Sequence, residues 1–127
     1  MTAVRHYRDL VAWQKAMDIV EAVYRATSTF PADERFGLTQ QLRRAVVSVP
    51  SNIAERQGRK STNEFIHFLS IAKGSLCEVE TQLIIAQRLG YLQNELLDQL
   101  LTQSDEVGRI MNGLTRSLAK KTKPQIL

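Results

Sequence analysis

Glu64-Phe65-Ile66-His67 has the spacing of a metal-binding pair in a helical bundle, where a glutamate and a histidine three residues later share one face and can reach one ion. A di-iron centre needs that pair on each of two helices, with two further glutamates. The only other histidine, His6, has no glutamate before it, so the second pair cannot be built. Glu78 and Glu80 flank the single cysteine, Cys77, but no base accompanies the thiol in the sequence. A Gly-rich phosphate loop and a nucleophile elbow are both missing. The sequence therefore predicts a protein that is not an enzyme and has no metal and no cofactor.

The basic residues are more suggestive. Arg43, Arg44, Arg56, Arg59 and Lys60 fall between Arg43 and Ser61 with Glu55 as the one acidic residue among them. Arg109, Arg116, Lys120, Lys121 and Lys123 follow the last acidic residue, Glu106. Lysine and arginine total 17 against 13 acidic residues, a net charge of +4 that leans toward polyanionic partners. The first group is the candidate for contacts to RNA or DNA phosphates, which gain strength when an oligomer repeats them. Charge alone equally suits solubilising groups and partners for Glu55. No aromatic residues interleave with these cations along the chain, so base stacking is not expected.

The elements that hold these groups read as helices. Leu10, Trp13, Met17, Val20 and Tyr24 alternate steps of three and four between Asp9 and Phe30, predicting a first helix with that stripe inward. Phe30-Pro31 and Gly37 interrupt it. Leu38, Leu42, Ala45, Val46, Val49 and Ile53 predict a second helix, ending at Gly58 as a left-handed cap. Ser61-Thr62-Asn63-Glu64 reads as a capping box opening a third helix on Phe65, Leu69, Ala72, Leu76, Val79, Leu83 and Ala86, closed by Gly90. Asn94 can cap a fourth, which follows Leu97, Leu100, Ser104, Val107, Met111, Leu114 and Leu118. Four such stripes joined by short connections predict an all-α antiparallel up-down four-helix bundle.

Pro50 falls inside the second helix, where a proline costs roughly 3 kcal/mol or more. Ser48, Ser51 and Asn52 can satisfy the freed backbone groups, so a kinked but continuous helix is expected, the alternative being a break with Asn52 capping a new helix. A chain of 127 residues, 43% hydrophobic and 24% charged, fits a single domain over residues 1–127, with an N-terminal arm at 1–8 and a basic tail at about 119–127. No apolar run is long enough to span a bilayer, MTAVRHYRDL lacks a signal peptide's apolar block, and one cysteine allows no internal disulfide. A cytoplasmic protein with no membrane partner is expected.

Some apolar residues point away from these stripes: Ile19 and Val23 in the first helix, Val47 in the second, and Ile71, Ile85 and Leu89 in the third. Gly74, costly within a helix by about 1 kcal/mol, suits close approach by a neighbour. These seven positions are the candidate interface of a homo-oligomer.

The segments YRDLVAWQKAM (Tyr7 to Met17), FGLTQQLRRAVVSVPSNIAE (Phe36 to Glu55) and GRKSTNEFIHFLSIAKGSLCEVETQL running on to LGYL (Gly58 to Leu92) resemble the four-helix proteins first noted in intervening sequences of bacterial 23S rRNA genes. That family is similar to the accessory variability proteins of diversity-generating retroelements, pentameric barrels with basic surfaces that bind nucleic acid and a reverse transcriptase. The resemblance implies a homopentameric ring, possible RNA or DNA binding, a protein partner such as a reverse transcriptase, and Arg43, Arg44 and Arg59 as matched polyanion contacts. Arg56 departs from the family pattern, standing where NIAE is usually followed by glycine. A protein-interaction scaffold with incidental charges is the alternative function.

Overall fold

The computed structural model describes residues 6–58 and 61–122. Among them there is no strand; four long helices, α1 (Val11–Thr27), α2 (Leu38–Ala54), α3 (Thr62–Arg88) and α4 (Asn94–Thr122), carry most of the chain. Each packs on two others, α1 and α3 both lying against α2 and α4, around one apolar core. Short 3-10 turns occupy Tyr7–Asp9, Ala32–Glu34 and Glu55–Gly58. No described helix is long and apolar enough to cross a membrane. The expected contacts at Arg59 and Lys60, the arm residues 1–5 and the tail from Lys123 onward lie outside the described residues.

The expected stripes of α2 and α3 are the buried ones. Leu42, Val46, Val49 and Ile53 on α2, and Leu69, Ala72, Val79 and Leu83 on α3, have no accessible surface. Burial of a side chain of Leu, Ile or Val size contributes about 1.5–3 kcal/mol, so these rows outweigh any capping effect. In α4, Leu97 to Met111 supply the buried row, and Leu114 and Leu118 are half-buried. The polar member of that row, Ser104, is fully buried and donates a hydrogen bond to Glu80 of α3.

Helix α1 corrects the expectation. Its inward row is Ala12, Ala16, Ile19, Val23 and Ala26, with Phe30 beyond its end, while Met17 and Tyr24 are 39% and 40% exposed and Trp13 and Val20 half-buried. The rows differ by one residue, about 100° of rotation. Three alanines let the α1 backbone come close to its neighbours, and the bulkier Trp13 row takes the flank against α2. Ile19 and Val23 are therefore core residues and not a subunit interface.

The helix ends follow local chemistry. Ser61 Oγ accepts from Glu64 N at 3.1 Å, opening α3. Gly90, with φ of 83°, closes it: Tyr91 N donates to Ala86 O at 2.9 Å and Gly90 N to Gln87 O at 3.0 Å, the paired bonds of a Schellman motif. Gly58 does not cap α2, which ends at Ala54 and passes into the 3-10 turn containing Arg56. Asn94 starts α4 from within its first turn, its Oδ1 accepting from Gln87 Nε2 of α3 at 2.6 Å, and Gln93 O takes the first helical bond from Leu97 N.

Pro50 is buried inside an unbroken α2. Ser51 Oγ donates to Val47 O at 2.8 Å, and Asn52 Nδ2 donates to Ser48 O at 2.8 Å and Ser48 Oγ at 2.9 Å, so Asn52 does not cap a separate helix. At the other end of α2 a carboxylate replaces the usual cap. Glu34 Oε1 accepts from Leu38 N at 3.1 Å while Oε2 accepts from Tyr91 OH at 3.0 Å, tying the α1–α2 loop to the α3–α4 corner. A Cβ on Gly37 would lie 2.7 Å from Glu34 Oε1, so a side chain here would displace the carboxylate that caps α2.

Candidate nucleic-acid interface

The C-terminal turns of α1 and the N-terminal turns of α2 enclose an open groove of about 420 Å³. Tyr24, Arg35, Phe36, Thr39, Gln40, Arg43, Arg44 and Val47 line it, so three guanidinium groups and no carboxylate meet there. Of the sequence candidates, Arg43 and Arg44 stand here. Arg56 is half-buried in the turn after α2 and is engaged within the protein.

Arg43 and Arg44 follow each other on a helix and so face different ways. Arg43 turns toward α1. Its Cζ lies 4.6 Å from the centroid of the Tyr24 ring, Nε donates to Thr27 Oγ1 at 2.9 Å and Nη2 to Tyr24 O at 3.4 Å. These bonds take two of five N–H donors and place a cation at the carboxyl end of α1, where the helix dipole favours it. Arg44 is exposed. With the Gln40 amide oriented to suit both neighbours, that side chain donates to Phe36 O at 3.3 Å and accepts from Arg44 Nη2 at 3.2 Å. Arg44 also borders a polar seam between α2 and α3, where Ser48 and Ser75 hydroxyls meet at 2.9 Å near Glu78 and Gln82.

Phe36 is 82% exposed, the most solvent-accessible large apolar side chain among those described. It precedes Gly37, the residue before the first turn of α2, a place from which an apolar side chain usually packs onto the fourth helical residue. That residue is Gln41, exposed and polar, so the ring has nothing to pack on. Arg35 Cζ lies 5.8 Å from its centroid. Reading the sequence alone missed Arg35, Phe36 and Tyr24 as members of a site. The available signal was an aromatic residue belonging to no helical stripe, next to an arginine and a helix-starting glycine.

Toward the other end of α1 and α2, Tyr7, Trp13, Met17, Val20, Val47, Pro50 and Ala54 line a mainly apolar groove of about 290 Å³. The remaining expected interface residues lie at the surface: Val47 39%, Ile71 39%, Ile85 42% and Leu89 54% exposed, together with Gly74, where an added Cβ would meet nothing within 4 Å. Ile71, Gly74, Ile85 and Leu89 share one outward face of α3 by helical spacing.

The chemistry-bearing residues elsewhere stand apart. His67 is exposed with its ring 5.6 Å from Phe68, Cys77 is exposed, and no group of three or more His, Cys, Asp or Glu gathers among the described residues. Arg109, Arg116, Lys120 and Lys121 lie exposed along the C-terminal half of α4, outside the groove.

No curated protein matches the chain. Among solved structures, a crystal structure of a protein of unknown function from the S23 ribosomal protein family of Bacteroides thetaiotaomicron superposes with a TM-score of 0.75. At 23% identity it covers 84% of this chain and 96% of its own, a likeness of fold. The family model of the 23S rRNA-intervening sequence proteins matches residues 8–113, which takes in all of α1, α2 and α3 and most of α4. The chain belongs to the 23S rRNA-intervening sequence protein family.

Proposed function

We propose that this protein is a non-enzymatic, cytoplasmic homo-oligomer that binds RNA or DNA through phosphate contacts, as an accessory to a larger ribonucleoprotein or a reverse transcriptase. The observation that carries the reading is the groove at the α1–α2 end, lined by Arg35, Arg43 and Arg44 with no carboxylate. A polyanion is the ligand such a site favours, because each neutralised phosphate releases condensed counterions.

The subunit in this reading is an antiparallel up-down bundle bent at Pro50. Cross-helix pairs support the antiparallel course: Lys73 with Asn112, Glu80 with Ser104, and Gln87 with Asn94 run in opposite directions along α3 and α4. The side-chain bonds of Ser51 and Asn52 to the Val47 and Ser48 carbonyls support the bend, since they occupy the turn that the proline ring disturbs.

A closed ring with more than two members requires two different faces on each subunit, one meeting the other around the circle. The Ile71, Ile85 and Leu89 face of α3 and the apolar groove of Trp13, Met17, Val20 and Pro50 supply such a pair. Five copies is the number carried over from the family resemblance. In this reading the arginines at the far end of the α1–α2 seam are repeated around the assembly.

Purification with and without nuclease, followed by fluorescence anisotropy with labelled RNA at low salt, tests the reading. Nucleic acid should copurify with the untreated protein, and the cleaned protein should rebind RNA with affinity that falls steeply as salt rises. A cleaned protein that ignores RNA and retains a protein partner through nuclease treatment supports the scaffold function instead.

A further inference from the structure

We infer that the α1–α2 groove takes an unpaired nucleobase on the ring of Phe36, with the adjoining phosphates held by Arg35 and Arg44, so that the protein selects single-stranded over duplex nucleic acid. This rests on the nucleic-acid reading above and adds to it the form of the strand. Chain order hid the arrangement. No aromatic residue interleaves with the arginines along α2, but folding brings Tyr24 from α1 and Phe36 from the loop to one groove with Arg35, Arg43 and Arg44.

Three features carry the inference. Phe36 is 82% exposed although Arg35 reaches to 5.8 Å from the ring centroid, so the guanidinium covers at most one face and the ring keeps an open π-surface. An aromatic side chain left this wet lacks the burial that usually justifies it, and a base, which has a flat face whatever its identity, supplies that burial. The second feature is charge. With three arginines and no acidic residue along the lining, an apolar peptide gains nothing from the surroundings of Phe36, whereas a strand with one phosphate per base satisfies ring and cations together.

Third, the two arginines of α2 are not equally committed. Arg43 is tied to Thr27 and to the Tyr24 ring and carbonyl, so it fixes the wall of the groove. Arg44, exposed and touching only the Gln40 amide among the bonds described, is free to turn a planar fork onto a phosphate. Duplex nucleic acid keeps its bases stacked on one another and offers Phe36 no free face. Discrimination therefore arises at the ring, and overall affinity at the cations.

The test is anisotropy of end-labelled oligouridylate and of an RNA duplex of equal length, at low salt, with wild type, Phe36→Ala, Phe36→Trp and Phe36→Leu. Inorganic polyphosphate serves as a competitor without bases. Phe36→Ala should weaken oligouridylate binding about tenfold, within the range found for single stacked bases, and Phe36→Leu should do nearly the same. Phe36→Trp should retain it. Duplex affinity, competition by polyphosphate and the salt dependence should not change, because no charge is removed. Circular dichroism and sedimentation of each variant should match wild type.

Equal affinity of Phe36→Ala and wild type for oligouridylate overturns the stacking site while leaving phosphate binding intact. Equal losses for strand and duplex also overturn it, as does a change in sedimentation without a change in affinity, which would make Phe36 a contact between copies. Failure of wild type to bind any of these probes, or oligothymidylate and a DNA duplex in their place, removes the nucleic-acid reading itself.

Discussion

Replacing Arg43 by alanine removes a ring contact and two hydrogen bonds together, and so separates a groove wall from a ligand-binding cation. The guanidinium lies 4.6 Å from the Tyr24 centroid, an arrangement worth about 0.5–1 kcal/mol at a partly exposed site. Its 2.9 Å bond to Thr27 Oγ1 joins a charged donor to a residue that is only 2% exposed. Bonds of that type contribute roughly 1.5–3 kcal/mol when buried, but Arg43 itself is half-buried, so the lower part of the range applies. The hydroxyl also keeps its own donation to Val23 O at 2.9 Å, which limits the loss. Together these terms give about 2 kcal/mol, or a Tm lower by roughly 6–10 °C for a domain of this size. Urea and thermal unfolding followed by circular dichroism read the difference, at one fixed protein concentration because self-association shifts apparent stability. Arg43→Lys should fall between, restoring a charge over Tyr24 without the Nε donor. Arg44→Ala, at an exposed position, should stay within about 0.5 kcal/mol of wild type. An Arg43→Ala protein as stable as wild type, or an Arg44→Ala protein equally weakened, refutes this division of roles.

The inward row of α1 predicts that Ala16→Leu overpacks the core and costs about 1–3 kcal/mol by chemical denaturation. Met17→Ala, on the flank, should cost well under the roughly 2–5 kcal/mol of a core truncation. The hydrogen bond to Glu34, and then partial burial, hold the Tyr91 phenol above its usual pKa. The stability it contributes is complete below the unfolded tyrosine value of about 10 and fades as pH rises through the higher folded value. Alkaline unfolding should accordingly be steeper above that pH for wild type than for Tyr91→Phe. Ile85→Asp combined with Leu89→Asp should reduce the sedimentation coefficient while leaving helical content unchanged, and an unaltered coefficient would exclude that face from subunit contacts.

Helices α2 and α3 were legible because their inward rows consist mostly of large apolar residues at unbroken three-four spacing, and because Ser61 and Gly90 mark ends by mechanisms that act over a few residues. Helix α1 misled for the same reason. Trp13, Met17 and Tyr24 outweigh Ala12, Ala16 and Ala26 in any reading by size, yet depth in a core depends on how closely backbones approach, and alanine permits a close approach. That error carried Ile19 and Val23 into the expected interface, from which their complete burial removes them. Val47, Ile71, Ile85 and Leu89, assigned by rotation from correctly read rows on α2 and α3, lie at the surface.

The groove was legible in part. Arg43 and Arg44 stood out as a basic pair, but periodicity does not say that one of them folds back on α1, since Tyr24 and Thr27 lie in another helix and meet Arg43 only through packing. Phe36 was invisible as a site residue because it belongs to no stripe. Its exposure depends on Gln41 standing where an apolar partner would have covered it.

Salt dependence of RNA binding, compared between wild type and the Arg35→Ala/Arg44→Ala double variant, tests the central claim most directly. Wild type should show a straight fall of log K with log salt. The double variant should bind more weakly, with a slope shallower by about 0.7 for each single-strand phosphate that it no longer neutralises. Parallel lines of equal affinity, or binding indifferent to salt, would contradict the claim.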